Sequence, residues 1–264
     1  MDQFKLIHFS IEQSIAYITL NRPNEGNAFN LQLATEFNQA ANICQHDETI
    51  RAVLIKANGK LFCAGGDLAS MAKAGQQVDA ALKALTDQLH GAFSTLSRMR
   101  APVIAAIQGP AAGIGLSLAL IADMTLASDK ASFVMAYTAA GLSPDGGSTA
   151  MLPKIVGLKR AKELILTNRK LTATEALDWG LVNKVVPADE LLQEAQSLAS
   201  RLATGASSAF GSAKSLLISS ESESFESQMV LEASAIAQNA KGKDGQEGIR
   251  AFLNKEKPIF TGER

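Results

Sequence analysis

Two short runs constrain this chain more than any other feature: Leu61-Phe62-Cys63-Ala64-Gly65-Gly66-Asp67-Leu68 and, about fifty residues later, Ile107-Gln108-Gly109-Pro110-Ala111-Ala112-Gly113-Ile114-Gly115. Each ends an apolar, strand-like segment in small residues, which lets bare backbone N–H groups approach a ligand. Two such amides aimed at one oxygen form an oxyanion hole, which stabilises negative charge developing on a carbonyl. The pair therefore points to carbonyl chemistry, with a thioester as a fitting substrate. Taken singly, either run also reads as a tight turn after a strand. Gly113-Ile114-Gly115 carries more weight because it opens a predicted helix, whose dipole would favour an anion at the Ile114 amide.

The segments around these runs alternate between strand and helix. Phe4–Ser10 and Ile15–Leu20 read as strands, and Glu12-Gln13-Ser14 breaks them into a hairpin. Asn30 caps a predicted helix with Leu33, Phe37, Ala41 and Cys44 at helical spacing, followed by a strand over Arg51–Ala57. Val78 to Met99 places Leu82, Leu85, Leu89, Phe93 and Leu96 on one helical face, and Val103–Ile107 returns as a buried strand. A short helix over Gly113–Ala122 and strands over Met124–Ser128 and Ala131–Val134 lead to the turn Gly141-Leu142-Ser143-Pro144-Asp145-Gly146-Gly147. Beyond it strand signals nearly vanish, and helices are expected over Thr149–Ile155, Leu158–Leu166, Thr172–Trp179, Ala188–Ala203, Ser207–Ser219, Ser224–Asn239 and Gly245–Lys255. Alternating β and α units followed by a helical tail predict an α/β core over residues 1–200 and a C-terminal helical subdomain over residues 201–264.

With 25 basic against 26 acidic residues, the 264-residue chain has a net charge of −1, so no global field favours nucleic acid or an anionic membrane. Cys44 and Cys63 are the only cysteines, which argues against a disulfide framework and for a reducing compartment. No apolar run approaches a membrane span and no secretory pattern opens the sequence, so the expected location is cytoplasmic. Neither H-x-x-x-H nor C-x-x-C occurs, and no metal is expected. The glycine runs also fail both phosphate-loop patterns. Gly146-Gly147-Ser148-Thr149-Ala150 approaches the serine-hydrolase pattern, but Ala150 replaces its last glycine.

Asp145 is the acid that stands out. It follows Pro144 in a turn and precedes a helix, a place for a plain N-cap and equally for a positioned proton acceptor. His8 and His46 read as structural or exposed, whereas His90 lies beside the apolar stripe of its helix, either half-buried or reaching into a ligand pocket. Lys255, Lys257 and Arg264 form a basic cluster, readable as a solvated tail or as a phosphate contact.

These two runs, joined to Pro144-Asp145-Gly146-Gly147 and Ala176-Leu177-Asp178-Trp179-Gly180-Leu181-Val182, resemble the crotonase superfamily of enoyl-CoA hydratases and isomerases, from Leu20-Asn21-Arg22-Pro23 to Phe260-Thr261-Gly262. The resemblance implies a spiral of ββα units, a C-terminal trimerisation subdomain, homotrimers or dimers of trimers, and an acyl-CoA thioester whose coenzyme A is part of the substrate. It puts the oxyanion amides on Gly66 and Ile114. It also assigns the adenine and pantetheine arm to the segment around Ala64, Asp67 and Leu68, with Arg22, Asn24 and Lys255 as further contacts, Lys255 toward a neighbouring subunit's ligand.

Departures from the family pattern bear on the chemistry. The two glutamates of its hydratases correspond here to Ser117 and Tyr137, neither of which activates water as a carboxylate would. Asp145 instead matches the single acid of isomerases resembling epoxyphenylacetyl-CoA isomerase and Δ3,Δ2-enoyl-CoA isomerases. The implied reaction is proton removal beside the thioester and return at another carbon. A second expectation within the family resembles 4-chlorobenzoyl-CoA dehalogenase, with Asp145 as nucleophile and His90 as base. A third, of another class, is a non-catalytic protein binding acyl-CoA or RNA on the same scaffold.

Overall fold

The computed structural model describes residues 4–263, in which a six-stranded sheet and a three-stranded sheet hold the two glycine runs side by side. Strands β1 (Ile7–Glu12) and β2 (Ile15–Leu20) form an antiparallel hairpin with Glu12 opposite Ile15. Its two turn residues, Gln13 and Ser14, both take positive φ (50° and 62°), the geometry whose twist matches a two-residue hairpin. The first strand starts later than Phe4 because the Lys5 and Leu6 amides donate to Glu36 Oε2, at 3.0 and 2.7 Å, instead of to a neighbouring strand.

From β2 the sheet continues in parallel through β3 (Ala52–Ala57), β4 (Val103–Ile107), β6 (Met124–Ser128) and β9 (Lys184–Val186). Alternate residues feed two cores, as a period of two requires. Val53, Ile55, Val103, Ala105 and Ile107 face α1 (Leu31–His46) and α3 (Val78–Arg98), which bring Phe37, Leu89 and Phe93. Ala52, Leu54, Ile104 and Ala106 face α8 (Leu191–Ala203), whose Ala195 and Ala199 let its backbone lie close on the sheet. Asn30 caps α1 as expected, accepting the Leu33 N–H at 2.9 Å. Helix α4 (Ile114–Ile121) is buried on nearly every side, so it is a core element with no solvent face.

Four elements escaped the sequence reading. Helix α2 (Leu68–Ala74) buries none of its residues, leaving no apolar stripe to detect, and is fixed by Asp67 at its N-cap. Strand β5 (Pro110–Ala112) lies inside the second glycine run and pairs with β7 (Ser132–Val134), which in turn pairs with β8 (Leu171–Thr172). Both β8 and β9 are too short for alternation to show, and pairing to β7 and β6 makes them strands.

Helices α5 (Ser148–Val156), α6 (Leu158–Thr167) and α7 (Ala173–Asp178) lead from the Asp145 turn back to β9. After α8 the chain runs through α9 (Ser207–Ser219), α10 (Phe225–Lys241) and α11 (Lys243–Asn254). Two cations fasten this segment to the sheet. Arg51 donates to the Gly205 and Phe260 carbonyls at 2.6 and 2.9 Å and to Ser207 Oγ at 3.2 Å. Lys214 of α9 donates to Asp123 Oδ2 at 2.6 Å and to the Leu96 and Ala101 carbonyls. Burial pushes the Asp123 carboxyl up and the Lys214 ammonium down, with their mutual attraction opposing both shifts. No helix among the described residues is long and apolar enough to cross a membrane.

Removing one member of that pair leaves a largely buried charge uncompensated. Lys214→Ala is expected to destabilise by about 3 kcal/mol, read as a lower midpoint in urea unfolding. The double variant Lys214→Met, Asp123→Asn should recover part of the loss.

Candidate active site

The two glycine runs meet through their main chains at the carboxyl ends of β3 and β4, where open parallel sheets bind ligands. Cys63 and Ala111 form a parallel bridge: the Cys63 N–H donates to the Pro110 carbonyl at 3.3 Å, and the Ala112 N–H donates to the Cys63 carbonyl at 2.8 Å. Gly66 and Ile114 each lie three residues beyond that paired position, so one register sets both. Gly66 is flanked by bonds that use its neighbours: Phe29 N–H donates to the Gly65 carbonyl at 2.8 Å, and Asp67 N–H to the Phe29 carbonyl at 2.9 Å. Ile114 is the first residue of α4, whose first-turn amides have no partner within the helix. Among the described residues neither the Gly66 nor the Ile114 N–H finds an acceptor, and both residues line one cleft.

Glycine is required where these runs touch. Gly113 takes φ 52° with ψ −118°, and a Cβ on Gly115 would lie 2.7 Å from the Cys63 Cβ and 2.8 Å from its carbonyl oxygen. Cys63 itself is fully buried. Its thiol is pushed up to about 12 by burial, and its sulfur accepts the Gly65 N–H at 3.4 Å, so it supports the loop instead of reacting.

The cleft has a volume of about 390 Å3 and walls made largely of Leu68, Met71, Leu82, Leu85, Leu89 and Leu142. Asp145 reaches into it with a half-buried carboxylate. Its main-chain carbonyl accepts the Ser148 hydroxyl at 2.8 Å, with the Ser117 hydroxyl 3.2 Å away, so Ser148 is a turn clamp. Oδ1 accepts the Tyr137 hydroxyl at 2.6 Å, and Oδ2 lies 3.9 Å from His90 Nε2. That imidazole nitrogen accepts the Gly146 N–H at 3.3 Å, which leaves the ring proton of the neutral side chain on Nδ1. Burial, reinforced by the neighbouring carboxylate, pushes the Tyr137 phenol far above its ordinary value, so Tyr137 is the donor.

Ala64, Gly66, Leu68, Ile114 and Asp145 thus lie together, as the sequence suggested, and His90 sits half exposed against Asp145. Arg22 and Asp67 are placed differently from the expected ligand contacts. Asp67 Oδ2 accepts Arg22 Nη2 at 3.0 Å, its Oδ1 accepts the Ser70 N–H, and Arg22 Nη1 donates to the Ala28 carbonyl at 2.6 Å. Burial alone would raise the Asp67 carboxyl, but the Ser70 and Arg22 hydrogen bonds hold it below the usual range. These two residues brace the loop ahead of α2 and do not line the cleft. Asn24 is exposed in a single 3-10 turn over Pro23–Glu25, and Lys255 is exposed just past α11; neither lines the cleft within one chain. Lys257 is likewise exposed, and Arg264 lies outside the described residues. His8 and His46 are exposed. The segment from Ala136 to Ser143 supplies Tyr137, which the resemblance sets at a hydratase glutamate position, and Leu142, whose one signal in the sequence is the Gly141-Leu142-Ser143-Pro144 turn.

With this geometry in place, comparison with known proteins is decisive. Residues 10–263 match the family model described as enoyl-CoA hydratase/isomerase. The chain belongs to the enoyl-CoA hydratase/isomerase family. It is 33% identical over 260 residues to the trans-2-decenoyl-[acyl-carrier-protein] isomerase of Streptococcus mutans, covering 98% of this chain and 99% of that protein. It is 35% identical over 265 residues to the 1,2-epoxyphenylacetyl-CoA isomerase of Escherichia coli K12, covering 99% and 100%. The crystal structure of an enoyl-CoA hydratase from Polaromonas sp. JS666 superposes with a TM-score of 0.92 at 34% identity, covering 96% and 99%. The fold is therefore the crotonase fold, and the chain is an acyl-CoA enzyme of this family.

Gly115→Ala forces α4 away from Cys63 and so spreads the two amides. Its expected outcome is a 10- to 100-fold weaker acyl-CoA affinity, roughly 1.4 to 2.7 kcal/mol, measured by calorimetry.

Proposed function

We propose that this family member is an isomerase that moves a proton along an acyl thioester. Asp145 removes a proton from the carbon beside the thioester carbonyl, the resulting enolate oxygen rests on the Gly66 and Ile114 amides, and Asp145 returns the proton at another carbon. The double bond shifts and no atom is gained or lost. Each preorganised amide of such a cradle contributes about 3 kcal/mol to stabilising the oxyanion. One observation carries this reading: of the two carboxylates that line the cleft, Asp79 is exposed at the start of α3, which leaves Asp145 as the single inner acid, with the hydroxyls of Ser117 and Tyr137 beside it. A lone acid suits a proton relay, whereas activating water across a double bond draws on two. The isomerase names of two relatives agree with it.

A nucleophilic role for Asp145 has its own support, since His90 Nε2 lies 3.9 Å from Oδ2. Against it, that nitrogen already accepts the Gly146 amide and would have to release it before activating water.

Incubation with 3-enoyl-, 2-enoyl-, epoxyphenylacetyl- and 4-chlorobenzoyl-CoA separates these outcomes. Double-bond migration or ring expansion, lowered at least about 1000-fold in Asp145→Asn, is the expected result. Chloride release with an aryl ester of Asp145 trapped in His90→Gln would replace the isomerase by the hydrolytic reaction. Tight binding without turnover of any thioester would leave a binding protein.

We also propose that residues 201–264 mediate self-association of the chain into trimers. Helices α9 to α11 and the following segment expose Leu217, Phe225, Val230, Ile236, Phe252 and Ile259, a density of large apolar side chains that a lone chain rarely leaves in water. Sedimentation is expected to give three times the chain mass or a multiple of it, and Phe252→Asp with Ile236→Asp should shift the protein toward monomer.

A further inference from the structure

Tyr137 and Ser117 have no part in the proton relay just described, yet they join its two halves. Tyr137 donates to Asp145 Oδ1 at 2.6 Å, which commits its only proton and leaves its oxygen free to accept. The Ser117 hydroxyl stands 3.2 Å from that oxygen and is fully buried on α4. The same hydroxyl lies 3.2 Å from the Asp145 carbonyl and 3.3 Å from the Gly113 carbonyl, which also accepts the Ser117 N–H at 3.0 Å. The Gly113 carbonyl belongs to the same peptide unit as the Ile114 N–H. Whatever fixes that carbonyl therefore fixes the plane of the amide offered to the thioester oxygen.

We propose that Tyr137 and Ser117 are positioning residues: Tyr137 holds Oδ1 so that Oδ2 alone carries the proton, and Ser117 links the phenol to the Ile114 peptide, its one hydroxyl proton serving the Tyr137 oxygen and its N–H holding the Gly113 carbonyl. The proposal rests on the isomerase reading and adds which oxygen works and what aims it. Oδ1 already accepts a short bond from a phenol, so a proton placed there would cost that bond; Oδ2 has only the His90 ring at 3.9 Å. The titratable groups facing the pair are His90 from α3 and Cys63 from the first glycine run. Burial pushes the Cys63 thiol up to about 12, so it stays a thiol across the working range.

Two measurements test it. Tyr137→Phe should lower kcat about 10- to 100-fold with KM changed less than about 3-fold, the signature of lost aim without lost binding. The acid limb of kcat/KM should move to higher pH because a hydrogen bond to the charged carboxylate is gone, and it should do so in a His90→Gln background as well. A smaller loss in the same direction is expected for Ser117→Ala. The chain has two tyrosines, so 3-fluorotyrosine incorporated into Tyr17→Phe protein labels position 137 alone. Its 19F signal should move as Asp145 titrates and stop doing so in Asp145→Asn, with His90→Gln leaving that response in place. A Tyr137→Phe enzyme with unaltered rate and pH limb, or a 19F signal indifferent to Asp145, overturns the positioning role even where Asp145→Asn is dead. An Asp145→Asn enzyme that turns over normally sinks the isomerase reading instead, while the 19F titration still reports on the contact. The fluorine measurement keeps the native side chain, so it decides the matter if Tyr137→Phe fails to fold.

Discussion

Cys63 lies opposite Ala111 in a parallel bridge, bonded to the Pro110 carbonyl and the Ala112 N–H on either side of it, and the rest of the cleft is referred to that contact. Because both chains leave the bridge in the same direction, equal steps along each reach Gly66 and Ile114 together. A slip of one residue in the pairing would move one amide out of the cleft and bring a carbonyl in. The bridge is kept close by the bare Cα of Gly115 against Cys63 and by the fully buried thiol whose sulfur takes the Gly65 amide. Polar main-chain atoms that point into a cleft without partners cost stability, and the packing behind them offsets that cost.

That packing comes from the central sheet. Its strands put alternate residues into two cores, one under the long helices α1 and α3 and one under α8. Helix α3 then serves both the core and the cleft: Phe93 and Leu96 anchor it in the core, Leu85 and Leu89 belong to the core and also line the cleft, and Leu82 adds to the cleft wall. His90, one residue beyond Leu89, leans against the Asp145 turn as a result. Leu85 and Leu89 of the wall, together with Phe62, Cys63 and Ile114 of the two glycine runs, belong to one continuous body of apolar contacts.

Much of this was legible because the strongest signals are local. Val103–Ile107 is five apolar residues in a row, Asn30 precedes a clean helical stripe, and the glycine runs carry their own main-chain logic. Such patterns mark the two runs that hold Gly66 and Ile114 and the turn that holds Asp145, three residues that line one cleft. What escaped depends on partners distant in sequence. Nothing local shows that Arg22 and Asp67, 45 residues apart, pair with each other. Strands β8 and β9 owe their existence to neighbours already in place, and α2 to a single cap. Tyr137 reaches Asp145 only because Ala136 adopts a φ of 58°, a conformation that an alanine does not advertise.

In the isomerase reading proposed above, Ile114 offers its amide to the thioester oxygen, while its side chain is buried beside the position of Gly146. The reacting oxygen is thus addressed by an atom that every residue except proline possesses, and the shape of the space around it is set by atoms that differ from residue to residue. On that reading, acyl preference and oxyanion chemistry rest on separate parts of one position. A lineage can redraw the contour of its binding cavity here by single substitutions, retaining the charge-bearing machinery untouched, and this separation makes such a scaffold permissive to new substrates.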